Sequence, residues 1–172
     1  MKSSHYDITL PKIGIRAAGA AQRQFKMNQD PNFQTLNAMQ INQCIVRVDL
    51  NSKGHEWALE KIARFFRREF RYDLTQYRAG DPLNSPETTQ GFVWRDIASD
   101  GRDVAWAGCC FRKRDHGWAL QWIWMHPYER HKGHFLKALP YFVKLFGNFD
   151  VEGPYSHSMR ECIKKHLTWV KL

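Results

Sequence analysis

The fold is decided by residues 118–139, which read Trp118-Ala-Leu-Gln-Trp-Ile-Trp-Met-His-Pro-Tyr-Glu-Arg-His-Lys-Gly-His-Phe-Leu-Lys-Ala-Leu139. The part from Trp118 to Met125 is nearly all apolar, as a strand covered on both faces is. Pro127 breaks the run, and Arg130-His131-Lys132-Gly133-His134 forms a short basic loop. An apolar stripe of Phe135, Leu136, Leu139 and Val143 then has helical spacing. The order is therefore strand, loop, helix. The first turn of a helix carries unpaired N–H groups and partial positive charge, so such a junction suits phosphate oxygens. Gly133 permits close backbone approach or positive φ, and Arg130, Lys132 and His131 add cationic donors. One glycine among basic residues also makes an ordinary surface turn, so on these residues alone both readings stand.

Working outward, the turn signals Asp100-Gly101 and Asp115-His116-Gly117 separate strand candidates at 91–95, 104–112 and 118–126. An antiparallel meander is the natural reading. Upstream, 44–50 reads as a strand with alternation from Val46 to Leu50, and Asn51-Ser52-Lys53-Gly54 reads as a turn. A helix is predicted over 56–71, with Trp57, Leu59, Ile62, Ala63, Phe65, Phe66 and Phe70 as its apolar stripe. Lys61, Arg64, Arg68 and Arg71 line another face of it, either as a solvated surface or as a dock for an anionic macromolecule. A polar loop occupies 79–89. Downstream, Pro140 is expected to kink or interrupt the helix that follows Gly133. A last strand is expected at 147–152, and Ser158-Met159-Arg160-Glu161 reads as a capping box opening a final helix. Residues 168–172 suggest a short closing strand. Residues 1–40 have weak periodicity, with a helical patch at 17–24, and read as an extension. The expectation is one α/β domain over 41–172: a mixed, largely antiparallel sheet flanked by helices.

Composition bounds the function. In 172 residues, 43% hydrophobic and 14% aromatic content suffices for a buried core and excludes general disorder. No apolar run approaches the roughly 18 residues of a membrane span. The N-terminus lacks the apolar segment of a secretory signal, so the expected location is cytoplasmic. There, Cys44, Cys109, Cys110 and Cys162 are expected as reduced, packed thiols. The net charge of +9, from 26 Lys and Arg against 17 Asp and Glu, favours an anionic partner.

The order of elements, with residues 118–139 at its centre, resembles the GNAT family of acyl-CoA N-acyltransferases. That family has a strand ending near a proline, an Arg/Gln-x-x-Gly-x-Gly/Ala loop and then a helix. Arg130 and Gly133 match that loop, and Phe135 departs from it where a second small residue belongs. The resemblance implies an acyl-CoA co-substrate, most simply acetyl-CoA, and no metal. Backbone amides of His131, Lys132, Gly133, His134 and Phe135 would cradle the pyrophosphate, and Trp124, Met125 and His126 would pair with the pantetheine arm. Ile163 stands where the family's tyrosine acid would be, so protonation of the leaving thiolate has no assigned residue. Tyr155, His157 and His126 are the candidates for proton transfer, each with a structural alternative: packed aromatic, exposed helix start, strand-end histidine.

Two other chemistries are to be weighed. His131-x-x-His134 and Cys162-x-x-x-His166 have ligand-like spacing for zinc, although no Cys-x-x-Cys or His-Glu-x-x-His is present. Basic residues at Lys61, Arg64, Arg67, Arg68 and Arg71, and at Arg112, Lys113 and Arg114, are interleaved with aromatics, as in a non-catalytic nucleic-acid-binding protein.

Overall fold

The computed structural model describes residues 45–50, 53–97 and 103–171. The extension at 1–40 with its helix at 17–24, Cys44 and the Asp100-Gly101 turn lie outside the described residues. Five strands form one sheet in the order β1-β2-β3-β4-β5: β1 (Ile45–Arg47), β2 (Thr89–Ile97), β3 (Asp103–Arg114), β4 (Gly117–Met125) and β5 (Asp150–Val151). The first four are mutually antiparallel, and β5 lies parallel to β4. Three helices are described: α1 (Lys53–Phe70), α2 (His134–Phe146) and α3 (His157–His166). The mixed, mostly antiparallel α/β domain expected from the sequence is what the chain forms.

α1 covers one face of the sheet. Leu59, Ile62 and Ala63 are fully buried against Val46, Val93, Cys110, Trp122 and Trp124. Burying each large aliphatic side chain contributes about 1.5–3 kcal/mol. The helix sits close because Gly91 and Gly108 leave room for it: a Cβ on Gly108 would lie 3.1 Å from Leu59 and 3.2 Å from Ile62. Trp57, expected in this stripe, is instead 61% exposed. It stands two residues before Leu59, about 200° round the helix, and so faces away from the sheet. The helix also starts earlier than expected, taking in Lys53 and Gly54, with Glu56 in its first turn, where negative charge is favoured.

α2 and α3 cover the other face. Phe135, Phe142, Phe149, Ile163 and Leu167 pack with Phe92, Trp94, Phe111 and Leu120. Pro140 does not interrupt α2, which runs unbroken through it to Phe146. Ser156, not Ser158, caps α3, accepting a hydrogen bond from the Met159 N–H at 3.1 Å. Ser158 lies inside the helix, and Glu161 pairs with Lys164 rather than closing a capping box. Residues 168–171 form a turn, not a strand, and β5 is shorter than expected. The long 71–88 segment is fastened over the α1 face. Glu56 holds the Tyr77 hydroxyl (3.1 Å) and the Gly80 N–H, and Glu60 holds the Ala79 N–H at 2.9 Å.

Candidate functional site

One irregularity in β4 opens the molecule. The β3–β4 register passes from Cys110↔Trp122 to Phe111↔Leu120, leaving Gln121 as an extra residue. Gln121 bonds Arg112 and Gln76 on the α1 side, the same side on which Trp122 is buried, so the alternation slips by one. Such a bulge bends its strand. Beside it β5 leaves. The parallel pairing covers only Ala119↔Asp150 and Leu120↔Val151, and the last bond runs from the Glu152 N–H to the Leu120 carbonyl at 2.9 Å. The Tyr155 hydroxyl donates back to the Val151 carbonyl, also at 2.9 Å, fastening the departing chain. From Gln121 to Met125, β4 has no strand on that side among the described residues. His126 donates its N–H to Trp106 of β3. Alternation then turns the backbone groups of Trp124 towards β3 and those of Ile123 and Met125 towards the gap.

The gap is a cleft of about 570 Å³, within the usual range for small-molecule sites. Ile123, Trp124 and Met125 form one wall, and Ser156, Met159 and Cys162 of the α3 segment form the other. The turn into α2 closes one end. In it His131 (φ 62°) and Gly133 (φ 74°) both adopt the left-handed conformation. The first helical bond is Lys137 N–H to the Gly133 carbonyl at 3.0 Å, so the N–H groups of His134, Phe135 and Leu136 precede the ladder, and no side chain caps them. These residues line the cleft. A Cβ on Gly133 would meet no protein atom within 4 Å, so its glycine answers to the positive φ and not to crowding. Phe135 does not fill the turn, because its side chain is buried on Phe142 in the α2 core.

Charge around the turn is organised by two carboxylates that sequence reading did not single out. Glu69 of α1 faces Arg130 at 2.7 Å and accepts from the Trp124 indole at 2.6 Å. Arg130 also donates to the Met125 carbonyl at 2.9 Å and lies over the Trp124 ring. Arg130 therefore ties the end of β4 to the turn and to α1. Glu129 pairs with Lys132 at 3.0 Å and with His134 at 3.1 Å. Lys132 is not part of the cleft wall, whereas His131 and His134 stand on it.

The three candidates for proton transfer are not brought together. His157 lines the cleft and is exposed. Tyr155 lines a second, smaller cavity of about 50 Å³ on the α1 side of the gap. The two cavities share Phe70, Ile123, Ser156 and Met159, so they meet through the parting of the strands. His126 lines neither. It is buried edge-on to Trp124, and that burial holds its imidazole below the usual histidine range.

The remaining groups sort as follows. Cys109 and Cys110 are buried on opposite faces of β3, and desolvation pushes the Cys109 thiol well up and the Cys110 thiol up to about 12. Cys162 is half-buried on the cleft wall. Among the described residues no group of three or more His, Cys, Asp or Glu is arranged to hold a metal. Arg112 does not form part of a basic surface. It is half-buried and ties Gln121, Thr89 and the 71–88 segment together, while Arg114 pairs with Glu152 at 2.6 Å. At the C-terminal end of α1, Arg64, Arg67, Arg68, Arg71 and Arg78 line a separate groove of about 750 Å³. Lys61 is exposed on α1 but is not on the groove wall, and Arg67 and Arg78 complete that wall.

No family model and no curated protein matches the chain. None of its helices, among the described residues, is long and apolar enough to cross a membrane.

Proposed function

We propose that the chain is an acyl-CoA-dependent N-acyltransferase of the GNAT type. The observation that carries this reading is the parting of β4 from a parallel β5, with an uncapped helix N-terminus closing the cleft so formed. Each part has a task that the chemistry needs. The N–H and carbonyl of Ile123 and the N–H of Met125 supply strand-like partners for the amides of a pantetheine arm, the Met125 carbonyl being taken by Arg130. The N–H groups of His134, Phe135 and Leu136, with the positive end of α2, supply donors for a pyrophosphate. Arg130 acts as the brace that keeps this turn in place.

In the reaction the amine nitrogen attacks the thioester carbonyl, the C–N bond forms and the C–S bond breaks. The amine gives up one proton and the leaving thiolate gains one. Holding both reactants in the gap supplies the proximity, and a backbone N–H on the β4 edge polarises the carbonyl oxygen. His157 on the cleft side is the group assigned to move protons, while the Tyr155 hydroxyl, in the second cavity, is committed to the Val151 carbonyl. His126, enclosed, supports Trp124.

Calorimetric titration with acetyl-CoA, desulfo-CoA and ATP tests this. Micromolar binding of the two CoA compounds and not of ATP is expected. Gly133→Val should weaken it at least tenfold, because any side chain there projects into the space assigned to phosphate. Gly133→Asn, which tolerates positive φ, separates that obstruction from backbone strain. Absent CoA binding, or binding that ATP reproduces, overturns the reading.

A further inference from the structure

We propose that the arginine groove at the C-terminal end of α1 binds the phosphate backbone of a nucleic acid, with Trp57, towards the other end of the helix, as a stacking platform. This site is independent of the acyl-donor cleft. The cationic wall consists of arginines only, whose planar forks match phosphate oxygens in pairs. The single carboxylate on the wall, Glu60, is occupied by Arg64 at 2.5 Å and by the Ala79 N–H. Arg67 donates to the Tyr72 carbonyl. Arg68, Arg71 and Arg78 make no side-chain hydrogen bond or ion pair among the described residues, so their donors are available to a ligand.

The pattern along the helix points to a strand-like polyanion. Trp57, Lys61, Arg64, Arg68 and Arg71 follow one another at spacings of four, three, four and three. The first four therefore share one stripe, about 16 Å long, and Arg71, with φ 56°, follows just past the end of α1. The apolar member of that stripe is a tryptophan at 61% exposure, at the end opposite the groove. A row of cations with an exposed aromatic is how proteins hold single strands, phosphates on the row and a base on the ring. An acidic peptide presents a ring only where it carries an aromatic residue, whereas every nucleotide carries a base, and a membrane surface is flat where this site is concave.

The test is fluorescence-anisotropy binding of a labelled 20-nucleotide RNA and the matching duplex DNA to the full chain, over a series of salt concentrations. Binding that weakens steeply with salt is expected. Arg68→Ala/Arg71→Ala/Arg78→Ala should lower affinity at least tenfold and reduce the salt slope by about 2, at roughly 0.7 per lost single-strand phosphate contact. Trp57→Ala should weaken single-strand binding about fivefold or more and leave tripolyphosphate binding unchanged. A reference variant, Lys137→Ala/Lys144→Ala/Lys164→Ala, removes the same charge elsewhere and should bind as the parent does. Equal loss in both triple variants means net charge only and overturns the site. An unchanged slope in the arginine variant, or tighter binding to polyglutamate or anionic vesicles than to RNA, overturns it as well.

Discussion

Removing the Glu69 carboxylate probes the brace that gives the cleft its shape. The side chain is 8% exposed, and its partner Arg130 is 20% exposed. Three interactions end on it: the Arg130 ion pair at 2.7 Å, a second Arg130 donor at 2.7 Å and the Trp124 indole at 2.6 Å. Breaking a buried pair from one side costs about 3–5 kcal/mol, because the partner is left charged and unpaired. Arg130 can reach some water and keeps the Met125 carbonyl, so Glu69→Ala should cost about 3 kcal/mol, near the low end of that range. In a domain of this size that is a fall in Tm of about 6–12 °C. The assay is urea unfolding of the parent, Glu69→Ala, Arg130→Ala and the double variant. A coupling energy of about 1.5–2 kcal/mol is expected, since the double variant leaves no buried charge alone. Acetyl-CoA affinity of Glu69→Ala should drop as well, because the turn holding Gly133 loses its anchor to α1. A coupling below about 0.5 kcal/mol would mean that the pair does not act as a unit, and the bracing role assigned to Arg130 would be wrong.

Other outcomes follow from single observations. His126 is held below the usual histidine range by burial, so the unfolded chain binds a proton more readily than the folded one. Stability should be complete above pH 6.5 and fall as the pH drops below it; His126→Gln should flatten that part of a Tm-against-pH curve, and an unchanged curve would exclude the effect. Iodoacetamide with peptide mapping should label Cys162 at least tenfold faster than Cys109 or Cys110, whose thiols are buried and shifted up, and acetyl-CoA should protect Cys162. Gly108→Ala should destabilise the fold by about 1–3 kcal/mol through overpacking against Leu59 and Ile62; a neutral result would show that α1 can move off the sheet at little cost.

What could be read from the sequence was local. The stripe of Leu59, Ile62 and Phe66 is a helical period, and Asp115-His116-Gly117 is a turn signal, so α1 and the β3–β4 hairpin are legible from the residues alone. The strand–loop–helix junction at 118–139 was visible for the same reason. The opening of the cleft was not, because it depends on one extra residue, Gln121, slipping the alternation of β4, and on β5 stopping at Val151. No residue type announces either event. The partner of Arg130 was hidden by distance along the chain, with Glu69 contributed from α1. Ser156 and Ser158 are both acceptable caps by residue type, and residue type alone does not show that the Ser156 hydroxyl takes the Met159 N–H. The arginine groove was half-visible. Helical spacing groups Arg64, Arg68 and Arg71, but Arg78 joins them only because Glu56 and Glu60 pin the segment that follows α1 back onto it.

That groove poses an energetic question of its own. Five guanidinium groups on one wall repel each other, at about 0.7 kcal/mol for each pair some 6 Å apart in water. Part of the cost is offset within the chain: Glu60 answers Arg64, and the carbonyls at the end of α1 favour Arg67 and Arg68 in its last turn. Nothing among the described residues answers Arg71 or Arg78. An anion in the groove would relieve the remainder, so the folded chain should be stabilised by one in proportion to its binding. Tripolyphosphate at ten times its dissociation constant should add about 1.4 kcal/mol, or a Tm rise of about 3–6 °C. Chloride at the same ionic strength should give less, since it screens without occupying the forks. Arg68→Ala/Arg71→Ala/Arg78→Ala should start from a higher Tm at low salt and lose the response to tripolyphosphate. If parent and variant respond alike, the arginines are no more than a solvated helix face, and the nucleic-acid site goes with them.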